Sequence, residues 1–241
     1  MTTDTAIARS VTFIRPRASH LRRLRLAGAA ALGLAVLGTP AALADTPSPL
    51  IAVQQAMNAA HSYRETLNIT TVGGLATGKT MMTLDAVRHG RTLQIHMTLV
   101  SHTAHGTSTT ELVDNGKNTC AKVAGQSQFR CFGRSIISSV LNSASPDQLA
   151  KSLGASVHLT AAGTGQKLGK QCNVYNITFT MSTLRSHGTI WVEAGANRPV
   201  EEDGVVAGTF IKGSAPSTIT SQITWSNWDD PSLTIPTVPG E

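Results

Sequence analysis

Thr92-Leu93-Gln94-Ile95-His96-Met97-Thr98-Leu99 carries an apolar side chain at every second position. Successive side chains of a β-strand point to opposite faces. The spacing therefore predicts a strand with Leu93, Ile95, Met97 and Leu99 on a buried face and Thr92, Gln94, His96 and Thr98 on a wetted one. The same alternation recurs where Leu67 and Ile69 sit between Thr66, Asn68 and Thr70, in Tyr175, Ile177, Phe179 and Met181, and in Ile219 and Ile223 around Ser221. A parallel sheet covered on both faces would be apolar at nearly every position, so these strands are antiparallel in character.

Working outward, Pro47 to His61 changes period. Leu50, Val53, Met57 and Ala60 fall along one helical face, with no glycine or proline after Pro49, which predicts a first helix. Gly73-Gly74, His89-Gly90, Asp114-Asn115-Gly116, Gly125, Gly188 and Gly204 are expected to end strands in turns. Ser135 to Leu141 and Pro146 to Leu153 return to helical spacing, with Ser145 as N-cap and Pro146 at the first helical position, so one or two short helices are expected there. The tail from Asp229 holds Pro231, Pro236 and Pro239 and should be extended and partly loose. The plan is a helix, about six strands, a helical insert and about five more strands. It places the chain in the α+β class, as a curved antiparallel sheet with helices on its concave face, because only that face offers a continuous apolar row to cover.

The N-terminus has three zones. Arg9, Arg15, Arg17, Arg22, Arg23 and Arg25 precede an apolar run from Leu26 to Leu37, and Thr39-Pro40-Ala41-Ala42-Leu43-Ala44 follows. Small residues at Ala42 and Ala44 make the A-x-A pattern that signal peptidase cuts. Residues 1–44 are thus expected to be a cleaved signal peptide and 45–241 one soluble extracytoplasmic domain, in the periplasm, cell wall or medium. The run is shorter than the ~20 apolar residues of a bilayer-spanning helix, so no stable membrane anchor is expected. Arg22-Arg23 leaves both general secretion and twin-arginine export open. The signal holds six of the 20 Lys and Arg and one of the 14 Asp and Glu, leaving 14 against 13. A nearly neutral domain offers no basic face for nucleic acid.

Cys120 and Cys131 flank Ala124-Gly125-Gln126-Ser127. A tight hairpin there sets the two sulfurs opposite each other, and export permits a disulfide. Cys172 is then a buried free thiol, although its pairing with either of the others stays open. No C-x-x-C or clustered Cys/His set suggests zinc.

Gly73-Gly74-Leu75-Ala76-Thr77-Gly78-Lys79-Thr80 matches the P-loop spacing, in which glycine backbones cradle phosphates and the lysine neutralises them. The context argues for a hairpin turn instead, because Met82, Leu84 and Ala86 continue as a strand rather than a helix. His96, His102 and His105 could ligate a metal. However, His96 lies on a polar strand face and the others lie in a Ser/Thr/Gly-rich turn, so they read as surface histidines. There is no G-x-S-x-G elbow and no local Cys-His signature. No catalytic residue, metal or cofactor is therefore expected. Asn68-Ile69-Thr70 and Asn176-Ile177-Thr178 are glycosylation sequons, both inside strand patterns of a chain whose signal looks bacterial.

Several segments together resemble a known family. Ala60-His61-Ser62-Tyr63-Arg64 takes a helix directly into a strand, and Gly169-Lys170-Gln171-Cys172-Asn173-Val174-Tyr175 takes a turn into one. Thr189 to Val200 places a Trp191 strand before a turn and Arg198-Pro199, and Trp225-Ser226-Asn227-Trp228 precedes Pro231 and Ile235-Pro236. In this order they resemble the LolA-like superfamily of bacterial envelope lipid and lipoprotein carriers, notably the LppX/LprG-type branch of actinobacterial lipoproteins that carry glycolipids. The resemblance implies an incomplete β-barrel, lidded by helices, that holds acyl chains without catalysis. Many relatives carry a lipobox cysteine at the cleavage site, whereas Asp45 follows Ala44 here, which fits a released shuttle rather than an anchored one. The expected cargo is a lipid or an acylated protein. Its expected cavity wall, chosen by face alternation, is Leu67, Ile69, Leu93, Ile95, Met97, Leu99, Ile177 and Phe179. The alternative is a sensory or binding module of the same fold that recognises an envelope protein partner.

Overall fold

Alternation of apolar and polar side chains carries the computed structural model through eleven strands and one helix within the residues it describes, 49–74, 77–132, 155–181, 184–209 and 215–238. Helix α1 (Pro49–Ala59) runs almost directly into β1 (Ser62–Gly73). Strands β2 (Gly78–His89), β3 (Thr92–Thr103), β4 (Gly106–Asp114), β5 (Thr119–Val123) and β6 (Arg130–Phe132) continue a first meander. A second comprises β7 (Ala155–Lys167), β8 (Lys170–Met181), β9 (Leu184–Glu193), β10 (Pro199–Gly208) and β11 (Ser217–Ser226). The signal segment 1–44 and the helices expected within 135–153 lie outside the described residues.

All eleven strands form one antiparallel sheet in the order β6-β5-β4-β3-β2-β1-β11-β10-β9-β8-β7. Local hairpins account for nearly every pairing. The exception joins the meanders: β1 runs beside β11 from Arg64↔Ser226 to Gly73↔Ser217. Among the described residues, the two edges, β6 and β7, pair with nothing on their outer sides. The expected incomplete barrel is therefore, in the described residues, a single large sheet that does not close, with one helix against it.

That helix is short and has modest intrinsic stability, so its apolar stripe must pack to hold it. Leu50 and Val53 are buried in a cluster with Ile177, Ile190 and Val192. Met57 touches that cluster and a second one of Ala60, Tyr63, Ala86, Leu93 and Ile95. Burying side chains of this size contributes about 1.5–3 kcal/mol each.

Two glycines depart from expectation. Gly188 and Gly204 do not end strands; they lie inside β9 and β10 and face each other in the register. A Cβ on Gly188 would come within 2.4 Å of the Asp203 carbonyl oxygen, so close backbone approach, not a turn, requires glycine there. The tail also differs from the loose segment expected. Leu233 and Val238 are buried, and Ile235 and Val238 pack against Val113, Cys120 and Phe129. The prolines keep it extended, while its apolar side chains find a patch on the face opposite α1.

Cys120 and Cys131 pair across β5 and β6 and form the disulfide, and Cys172 is a buried free thiol. The bridge closes a loop with a sequence separation of 11 and holds a three-residue edge strand to the sheet. Reducing it is expected to lower stability by roughly 2–3 kcal/mol. Urea melts with and without reductant test this; coincident curves would show that β6 adds nothing to the folded state.

Candidate functional site

Cross-strand register assembles the face under α1 from rows of side chains. One row crosses nine strands as Tyr175, Ile190, Glu202, Ile223, Leu67, Met82, Leu99, Thr110 and Val123. Beside it run Glu65, Leu84, Met97, Leu112 and Ala121 on one side and Ile177, Gly188, Gly204, Ser221 and Ile69 on the other. Phe179 continues the face beyond Ile177, and Leu93 and Ile95 continue it at the opposite end of β3.

All eight residues selected by alternation therefore share one face, and they divide into two groups. Leu67, Ile69, Leu93, Ile95 and Ile177 are buried and act as core. Met97, Leu99 and Phe179 are half-buried. Leu84 and Leu112 flank Met97 in its row and are half-buried too. Leu84, Met97, Leu99 and Leu112 thus form a contiguous, partly open apolar patch across β2, β3 and β4.

Two carboxyl groups interrupt this face. Glu202 sits in the main row between Ile190 and Ile223. Burial, reinforced by the negative charges of Glu65 and Asp203, pushes its pKa from 4.5 up to about 8. Burial likewise pushes Glu65 from 4.5 up to about 7, and the Trp225 indole directly opposite pulls the other way. That pull stops short of a completed hydrogen bond, since Glu65 Oε1 and Trp225 Nε1 are each buried without a partner. Near pH 7 Glu202 is mainly a neutral acid, able to donate as well as accept a hydrogen bond. Trp228 stacks on Tyr63 at 5.3 Å beside Trp225, and both indoles border a cleft of about 390 Å³ with Lys170 and Arg198. Strand alternation alone puts Glu65 with Tyr63, Leu67 and Ile69, so the signal for it was present in the sequence; its depth was not.

The other candidates fall elsewhere. The P-loop look-alike is the turn from β1 to β2, with Gly73 and Gly74 at φ 86° and 61°, conformations glycine adopts without steric cost. Lys79 and Thr80 continue β2 as a strand, so the helix N-terminus on which a phosphate would rest does not follow. His96 contacts Glu111 at 3.1 Å, His102 contacts Thr107 at 2.9 Å, and His105 is exposed. Burial raises the pKa of the Cys172 thiol, which makes it a weaker nucleophile.

No family model matches the chain, and no curated protein matches it by sequence. Among solved structures it is similar to LprF from Mycobacterium bovis, at 16% identity over 80% of this chain and 99% of that one, with a TM-score of 0.43. It is similar to a DUF1329 family protein from Desulfovibrio piger at 12% identity over 77% of this chain and 93% of that one, TM-score 0.31. An outer membrane lipoprotein-sorting protein domain from Vibrio parahaemolyticus is similar at 8% identity over 75% of this chain and 91% of that one, TM-score 0.29.

Proposed function

We propose that this protein is a soluble extracytoplasmic carrier that holds a lipid, or the acyl chains of a lipoprotein, against the apolar face of its sheet, without catalysing covalent chemistry. The observation that carries this reading is the patch of Leu84, Met97, Leu99 and Leu112, half-buried and continuous with the buried Ile223, Leu67 and Met82 of the main row. Each methylene an acyl chain buries there contributes about 0.8 kcal/mol, so affinity needs no directional chemistry. In this reading the sheet curves around the cargo, with α1 as a lid.

Native mass spectrometry of protein purified from its own host, followed by organic extraction, tests it. Extra mass that partitions into solvent is expected. Met97→Gln with Leu99→Gln is expected to lower lipid occupancy by roughly tenfold or more, about 1.4 kcal/mol, while the cooperative melt persists. A bare polypeptide mass, together with a protein captured by crosslinking, would instead favour a module that recognises an envelope protein.

A further inference from the structure

The opposite face of the sheet is not uniform. Over β1 to β5 it carries a charged ladder: Arg64 binds Asp85 at 2.6 Å, and Glu111 takes His96 at 3.1 Å and Lys122 at 3.4 Å. Over β8, β9, β10, β11 and β1 amides and hydroxyls predominate, beside one ionic cluster in which Lys167 pairs with Glu201 and lies 3.9 Å from Asp203. There the register lays down two complete rows. One is Asn176, Thr189, Asp203, Gln222 and Asn68; the other is Thr178, His187, Val205, Thr220 and Thr70. Together they line a groove of about 720 Å³. The backbones of Gly188 and Gly204 form part of its floor.

Five strands at about 4.8 Å spacing make the rows roughly 20 Å long. Asn-Ile-Thr occupies both ends, at 68–70 and 176–178, with each isoleucine turned to the apolar face and each asparagine and threonine in the groove. Among the described residues, the side chains of Asn68, Thr70, Thr178, His187 and Thr220 make no hydrogen bond within the protein, whereas Asn176 contacts Thr189 at 3.4 Å.

We infer that this groove is a second binding site, built for a neutral polyhydroxylated chain, that is, a glycan. Amide and hydroxyl groups each donate and accept hydrogen bonds, which matches sugar hydroxyls that do the same. The alternatives fit less well. Only Val205 offers apolar side-chain surface to a lipid tail on these rows. No lysine or arginine lines the groove for an anion or nucleic acid. The aromatic and arginine anchors on which protein interfaces depend are absent from its lining. The site lies on the face away from the apolar rows, so it stands whether or not the chain carries lipid.

Isothermal titration of the exported protein with soluble cello-oligosaccharides and chito-oligosaccharides tests the inference. Saturable binding of at least one is expected. It should weaken roughly tenfold, a difference of about 1.4 kcal/mol, in Thr70→Val with Thr220→Val, which keeps strand shape, and in Asn68→Ala with Asn176→Ala. All four positions are exposed, so the melting temperature should hold. No saturable heat with either sugar series, or binding that both double variants leave intact, would overturn it, as would crosslinking through the groove that captures a protein in place of a glycan.

Discussion

Glu202→Gln is expected to stabilise the protein strongly at pH 8 and hardly at all near pH 4. In the unfolded chain this carboxyl ionises around 4.5; in the folded protein it holds its proton until about 8. Between those values the native state binds more protons than the unfolded state, so stability falls as pH rises through that window and levels off above it. A gap of this size corresponds to roughly 3–5 kcal/mol at about 1.4 kcal/mol per pH unit. Glutamine keeps the shape and carries no charge to desolvate, so the variant should lose most of this slope. Glu65, with its pKa at about 7, adds a second contribution of the same sign. The two are not additive, because part of the Glu202 shift comes from the Glu65 charge. Thermal melts of both proteins from pH 4 to 9 decide the matter. At roughly 2–4 °C per kcal/mol for a chain of this size, the curves should separate visibly by pH 8. Wild-type stability that climbs with pH over this window would mean that water reaches Glu202.

Leu67→Ala should cost about 3–5 kcal/mol, because it empties a site with no room to relax. Leu67 is 0% exposed and lies between Ile223 and Met82 in the main row, within the pairing that joins the two meanders. Leu99→Ala, one strand beyond Met82 but half-buried, should cost less, about 1–2 kcal/mol, since less surface returns to water. Urea unfolding of the two variants separates core from open patch. Equal losses would argue that Leu99 is as tightly packed as Leu67, which would remove the surface on which the carrier reading depends.

How much of this was legible beforehand follows from distance along the chain. The helix at 49–59, the six strands before residue 133, the five after 154 and the Cys120–Cys131 bridge all rest on neighbours within a few residues, where period and turn chemistry act directly. The sharing of one face by Leu67, Leu99 and Phe179 follows from strict alternation once the hairpins are set. Gly188 and Gly204 misled because glycine signals both turns and close backbone contact, and only the strand opposite distinguishes the two. The tail misled because its prolines report local stiffness and nothing about what Val238 can cover.

The sequence by itself determined the alternation, the meanders and the composition of each face, since a strand exposes its side chains by a rule with period two. Only the tertiary structure decided that β1 lies beside β11, so that residues some 150 positions apart complete the rows on both faces. It also decided that Glu65 and Glu202 are buried deeply enough to hold their protons toward neutral pH. Burial and cross-strand pairing are properties of the assembled sheet, fixed by which partner removes a side chain from water, and no stretch of the chain read alone contains that partner.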